Sequence, residues 1–157
     1  IMSEHLRRMV ALADDFFSAK NDPEQLDVTP EVMAQLERIH PATLSEEAVG
    51  DGPVVWVLLI PTTDDTMKKF IEGIISEKQL LQESSYKNSY DSLYLCSVLV
   101  LPEFRRQGRA FRTACEAIGT IMKDHRIRSF YTWNFSDEGK KLAVKLATHF
   151  GVPLSER

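Results

Sequence analysis

The chain has only two cysteines, Cys96 and Cys115, too few for the disulfide framework of a small secreted domain. One sits in an apolar run and the other on the inward stripe of an expected helix, which predicts buried free thiols. The four histidines, His5, His40, His125 and His149, have no partner at i+3 or i+4 and no cysteine pair nearby, so no metal site is expected. A Gly-x-Ser-x-Gly elbow and a Walker loop are both missing, which removes those two kinds of site. No apolar stretch reaches the roughly 20 residues of a membrane span. The N-terminus has no basic-then-apolar leader pattern, so a cytoplasmic protein without a membrane partner is expected.

A surplus of positive charge is also lacking. With 23 acidic and 19 basic residues the net charge is −4, which argues against wrapping nucleic acid by phosphate neutralisation. A small anion held at one basic spot remains compatible with that balance. Repeats, low-complexity tracts and linkers are absent too, and 157 residues read as one domain over positions 1–157. At 43% hydrophobic and 27% charged the composition is that of a globular domain with a real core. Ile1 stands ahead of Met2, so residues missing from the start, a first strand among them, belong to the expectation.

What is present is strong periodicity. From Ser3 to Lys20, Leu6, Met9, Val10, Ala13, Phe16 and Phe17 recur at spacings of three and four, the pattern of an amphipathic helix. A second, shorter helix is predicted after the Thr29 N-cap with Pro30 at its first position, closed by His40-Pro41. Residues up to Gly50-Asp51-Gly52-Pro53 read as loop. Val54 to Ile60 is apolar throughout and β-branched, a strand buried on both faces and stopped by Pro61. Thr62-Thr63-Asp64 then caps a helix predicted to run to about Leu81, with Met67, Phe70, Ile71, Ile74 and Ile75 inward. Gln82 to Asp91 is polar and reads as a loop or short surface arm.

The most informative stretch follows. Leu93 to Leu101 is a second apolar strand, and Gly108 to Lys123 is predicted as a helix with Phe111, Cys115, Ile118 and Met122 on one face. Between them, Arg105, Gly108 and Ala110 fill the spacing Arg/Gln-x-x-Gly-x-Gly/Ala. Small residues let backbone N–H groups approach oxygens closely, and the helix N-terminus adds a favourable dipole. Arg105, Arg106, Arg109 and Arg112 add charge suited to phosphates. The plain alternative is a strand-to-helix turn carrying solvated arginines. A further strand, Ile127 to Trp133, leads to Ser136, which is predicted to cap a last helix stopped by Gly151. Strands alternating with helices imply an α/β fold with a mixed or largely parallel sheet between layers of helix.

The run Val98-Leu99-Val100-Leu101-Pro102-Glu103-Phe104-Arg105-Arg106-Gln107-Gly108-Arg109-Ala110 resembles the acetyl-CoA motif of the GNAT acetyltransferase superfamily. Asn134 after a strand, with a helix ending near Phe150-Gly151-Val152, is similar to the motif that follows it. The resemblance implies a single-domain fold with a mixed central sheet and helices on both faces. It implies that the backbone of Val98, Leu99 and Val100 holds the pantetheine arm, splayed away from the neighbouring strand. It also implies that the amides of Arg105, Arg106, Gln107, Gly108, Arg109 and Ala110 hold the pyrophosphate, with Asn134 near the cofactor arm. Acetyl-CoA would then be the cosubstrate, and a small-molecule or peptide amine would attack its thioester directly.

The chain departs from that family at the usual proton-transfer positions. Ala147 stands where many members have a tyrosine acid, and Tyr94 where some carry a glutamate. Tyr94, Tyr131 and His149 are therefore the candidate catalytic substitutes, each with a packing role as its alternative. A helix over Asp64 to Leu81 replaces the expected hairpin, and little chain remains after Val152-Pro153 for a last strand pair. A partner subunit, as in a homodimer, or further residues would complete the sheet. Asp14-Asp15 and Glu46-Glu47 read as solvated charges. The rival functional readings are a GNAT-fold CoA sensor or interaction module without turnover, and a small nucleic-acid-binding domain, the latter opposed by the acidic charge.

Overall fold

A computed structural model describes residues 2–20, 25–85, 87–133 and 136–157. It is an α/β domain built on a five-stranded sheet in the order β1-β2-β3-β4-β5. The elements are α1 (Glu4–Lys20), α2 (Pro30–Ile39), β1 (Leu44–Val49), β2 (Gly52–Thr62), α3 (Asp64–Ile71), α4 (Glu77–Ser84), β3 (Ser92–Val100), α5 (Arg109–Asp124), β4 (Ser129–Thr132), α6 (Asp137–Phe150) and β5 (Leu154–Glu156). The first three strands are antiparallel, and β3, β4 and β5 run parallel. The sheet is therefore mixed, and its parallel half is joined by helical crossovers.

Local chemistry explains most boundaries. Thr29 accepts from the Val32 N–H at the start of α2, and Ser136 accepts from Gly139 N–H at the start of α6. Gly151, at φ 67°, lets the Val152 N–H reach the Ala147 carbonyl and ends α6. β2 is buried almost throughout, as an apolar run predicts. The expected stop at Pro61 does not occur: the strand passes through Pro61, which pairs with Leu93, and ends at Thr62. β1 pairs with β2 only as far as Leu58, so no neighbouring strand among the described residues asks Pro61 for an N–H on that flank.

Strand alternation then sorts residues onto two faces. Glu47 lies on the α5 side, where Arg109 and Thr113 both meet its carboxylate. Trp56, Leu58 and Leu99 face α1 instead. Helices thus cover both faces of the sheet.

Four further expectations need correction. β1 falls in a segment read as loop, because its two glutamates break the apolar pattern; as an edge strand it tolerates them. The single helix expected over Asp64 to Leu81 is two. Gly73 at φ 77° donates to Phe70 O, and Ile74 N–H reaches back to Lys69 O, which closes α3. Ser76 and Gln79 then form a reciprocal capping box that opens α4. Ile74 consequently points to solvent, 64% exposed. On α5 the core side is Thr113, Ala114, Ala117, Ile118 and Ile121, with Phe111, Cys115 and Met122 at its partly exposed margin. Both thiols are free and only partly buried.

The parallel pair β3 and β4 is short. It matches Ser92 with Ser129, Leu93 with Phe130 and Tyr94 with Tyr131, and beyond Tyr94 the rest of β3 has no strand on that flank among the described residues. At the last matched position the two tyrosine rings stack, 5.1 Å between centroids and 29° between planes. Phe70 of α3 packs on both, at 5.1 and 6.0 Å, and on Trp133 at 5.9 Å. The Tyr94 hydroxyl donates to Glu77 Oε2 at 2.5 Å, and Tyr131 shares a hydrogen bond with Thr62 at 2.8 Å. Glu77 also accepts from the Leu26 N–H at 2.5 Å, tying α4 to the start of the α2 approach.

Two outcomes follow. Phe70→Ala removes a fully buried ring from this cluster and is expected to lower stability by about 3–5 kcal/mol in urea denaturation. Burial raises the hydroxyl pKa of Tyr94 well above 10.0, and that of Tyr131 is raised for the same reason. The folded state therefore resists deprotonation more than the unfolded chain. Stability from this source is complete below pH ~10 and falls as pH rises beyond it. Equilibrium unfolding between pH 8 and 11.5 measures this, and a flat profile would contradict it.

Candidate functional site

Past Val100 the chain turns sharply. Leu101 is buried, residues Pro102–Phe104 make one 3-10 turn, and Arg105 Nε donates back to Val100 O at 3.0 Å. Arg8 of α1 grips Glu103 with two bonds, at 2.6 and 2.7 Å. That pairing holds the Glu103 carboxyl down to about 2. The loop is thus anchored to β3 on one side and to α1 on the other.

Arg106 and Gly108 both take positive φ, 62° and 73°, bracketing Gln107. Gly108 in the left-handed region leads directly into right-handed α5, and such a succession turns neighbouring N–H groups to one side, an anion-binding geometry. The first bond of α5 runs from Arg112 N to Gly108 O, so the N–H groups of its first turn have no carbonyl ahead of them. Among the described residues, the backbone N–H groups of residues 106–111 meet no acceptor. Such a set of donors beside a helix N-terminus suits a phosphate.

Next to this loop lies a groove of about 790 Å³, within the roughly 300–1,000 Å³ usual for small-molecule sites. One wall is β3 from Leu95 to Val100. The other is formed by Thr132, Trp133 and the inner side of α6, and the loop and α5 close the end. Leu12 and Phe16 of α1 reach it from the far side. The groove occupies the space that opens where β3 parts from β4. A register shift opposite Leu58 and Leu59 skips Cys96, so β3 carries a bulge at the groove's inner end. Thr132 Oγ1 is buried there without a hydrogen-bond partner among the described residues, an unmet polar group at the wall of the cavity.

The cations are distributed unevenly. Arg109 is committed to Glu47 and lies over the Phe104 ring at 5.3 Å, while Arg112 donates to Gln107 O at 2.9 Å. Arg106 is exposed and makes no side-chain hydrogen bond or ion pair among the described residues. Lys145 of α6 lies over Phe111, 4.2 Å from its centroid, at the groove wall.

Of the residues expected to hold a cofactor, Val98, Leu99, Val100, Arg105, Arg106, Gly108, Arg109 and Ala110 line the groove. Gln107 turns its side chain aside, donating to Glu103 O and accepting from Arg109 Nε. Asn134 lies outside the described residues. Of the three catalytic candidates Tyr94 and Tyr131 come together as a stacked pair, His149 stands apart from them, and none lines the groove. Tyr94 and Tyr131 are packed beneath its apex, 1% and 0% exposed. His149 is on the outer surface of α6, edge-on to Phe111 and Phe150. Sequence reasoning missed Thr132, Trp133, Leu95 and Cys96 as lining residues. The polar Thr132 closing an apolar strand was the one local signal. No group of histidine, cysteine and carboxylate residues able to hold a metal occurs among the described residues.

No family model and no curated protein sequence matches the chain. The α/β fold with its mixed sheet rests on the structure itself. No helix among the described residues is long and apolar enough to cross a membrane.

Gly108 gives a direct check on the loop. A side chain there would be strained at positive φ, and its Cβ would stand 3.2 Å from Arg112 Nη1. Gly108→Ala is expected to cost about 1 kcal/mol in urea denaturation. An unchanged midpoint would mean that position 108 does not need the left-handed region.

Proposed function

We propose that the protein is a GNAT-type N-acyltransferase that moves the acyl group of acetyl-CoA to a primary amine. The observation that carries this reading is the parting of β3 from β4, which opens a groove directly beside the loop of acceptor-free N–H groups. The residues present fit the cofactor: donors at 106–111 suit a pyrophosphate, and the unmatched flank of β3 at Val98 to Val100 suits an amide-bearing arm. Thr132 Oγ1 offers one more polar contact within the groove.

When bound, acetyl-CoA supplies an acyl group already activated as a thioester. The chain's part is to bind and orient. The loop and α5 fix the anionic end, β3 fixes the arm, and Leu12, Phe16, Leu59 and Leu95 exclude water from the inner end. Transfer forms one N–C bond and breaks one C–S bond, with a net proton passing from the amine to sulfur. Positioning two reactants in a dry site supplies much of such a rate. Tyr94 and Tyr131 stay protonated and packed, so they act as supports of the groove apex and not as proton carriers.

A second reading, a CoA-binding sensor or interaction module without turnover, is favoured by one observation: none of Tyr94, Tyr131 and His149 lines the groove. Both readings predict cofactor binding. Acetyl-CoA at 100 times its dissociation constant should add about 2.7 kcal/mol of stability, a melting shift of about 5–10 °C for a domain of this size. Gly108→Glu and Arg106→Glu should each shrink that shift while leaving the ligand-free far-UV spectrum intact. No shift at millimolar acetyl-CoA would exclude both readings. Thiol release with a panel of amines then separates them: turnover supports the enzyme, and a blank with bound acetyl-CoA supports the module.

A further inference from the structure

The opposite face of β3 carries a second cavity, of about 510 Å³. Its floor is Trp56, Leu58 and Leu99, and α1 covers it with Ala13 and Phe17. Val28 and Met33 close the α2 side. Val10 and Met33, two of the more exposed large apolar residues in the chain at 37% and 47%, stand on its rim. An interior this apolar favours a hydrophobic body.

Its charge is one-sided. Asp14, Asp27 and Glu46 line it, and no lysine, arginine or histidine does among the described residues. None of these three carboxylates has an ion-pair partner among the described residues. Glu46 instead accepts from Trp56 Nε1 at 3.3 Å, which sets the carboxylate at the edge of an indole. Aromatic faces and unpaired carboxylates together attract an ammonium group and repel an anion.

The cavity and the cofactor groove lie against the same strand. Ser97 and Leu99 of β3 line both, and α1 contributes Leu12 and Phe16 to one and Ala13 and Phe17 to the other. The two spaces meet across the strand that carries the bulge at Cys96.

We infer that this second cavity binds the acceptor, and that the acceptor is a hydrophobic primary amine of small-molecule size, an aryl- or long alkylamine, in preference to a polyamine, an amino acid or an anionic peptide. The inference rests on the acyltransferase reading for the word acceptor, while the binding preference itself stands on the cavity alone. A polyamine would leave its second and third ammonium groups against an apolar floor, and an amino acid would set its carboxylate among three others.

The two tryptophans of the chain make the test direct, because Trp56 lines this cavity and Trp133 the cofactor groove. In a Trp133→Phe protein the remaining indole emission reports on Trp56. Three near-isosteric probes differ only at the head group: 4-phenylbutylamine, 4-phenylbutanol and 4-phenylbutyrate. We expect the amine to change Trp56 emission saturably, the alcohol to bind at least tenfold more weakly and the carboxylate not at all. The double variant Asp14→Asn/Glu46→Gln, which keeps both side-chain shapes, should weaken the amine three- to tenfold and leave the alcohol unchanged. Spermidine and glycinamide should bind more weakly than the amine.

Equal binding of amine and alcohol, or no emission change with any probe, would overturn the inference. Concentration-dependent dimerisation with no amine binding would overturn it too, since a second copy would then cover the cavity. An acetyl-CoA melting shift alongside such a result would leave the cofactor reading standing. Amine binding without that shift would instead remove the acyltransferase reading and keep an amine-binding cavity. With both present, thiol release should be fastest with 4-phenylbutylamine, and a faster rate with spermidine would contradict the assignment.

Discussion

Everything at the candidate site depends on how briefly β3 and β4 pair. The pairing stops after Tyr94 and Tyr131 because β4 ends at Thr132, while β3 runs on to Val100. An aromatic cluster packs at that point. The stacked tyrosines finish the last matched position, and Phe70 is wedged against both and against Trp133. The rings close the inner end of the groove with a packed aromatic layer, as Leu95 and Thr132, the next residues on each strand, already line it. The hydroxyls are tied off to Glu77 and Thr62, so burying them does not leave polar groups unmet.

The inserted pair α3 and α4 matters for the same reason. Phe70 comes from α3, and Glu77 from the first turn of α4. The Schellman closure at Gly73 and the capping box at Ser76 place these two side chains on successive short helices instead of on one rod. A continuous helix would put seven residues, about two turns, between them and carry them along one axis. Splitting the segment lets both reach the same tyrosine.

Charge is arranged with similar economy. The chain is acidic overall, yet the loop beside the groove is cationic. Part of that charge is spent internally: Arg109 on Glu47, Arg112 on a backbone carbonyl, and Arg105 on Val100. These bonds hold the loop in shape, so its backbone N–H groups and the uncommitted Arg106 present the donors to the groove. On the other face of the sheet the sign reverses, and the cavity under α1 is lined by carboxylates. One strand therefore separates a space suited to anions from a space suited to a cation.

Much of this was legible along the chain. The Thr29-Pro30 start of α2, the apolar β2, and the Ser136 and Gly151 ends of α6 are local signals, and local hydrogen bonds settle them. The signals for splitting α3 from α4, Gly73 and the Ser76-x-x-Gln79 box, were also present and were outweighed by a misleading stripe that included Ile74. The Val98 to Ala110 run announced a strand, a cationic turn and a helix, and all three are there. β1 was not legible, because Glu46 and Glu47 hide an edge strand whose inward glutamate is explained by Arg109 and Thr113, more than 60 residues away. The burial of Tyr94 and Tyr131 was likewise invisible, since each sits in a strand whose neighbour lies far along the chain. The kinds of elements and the chemistry of the loop are written in local sequence, because caps, turns and periodicities act over a few residues. Where β3 loses its partner, which aromatics stand at that point and which carboxylates share a cavity emerge only from the folded chain, because those depend on pairing between distant segments.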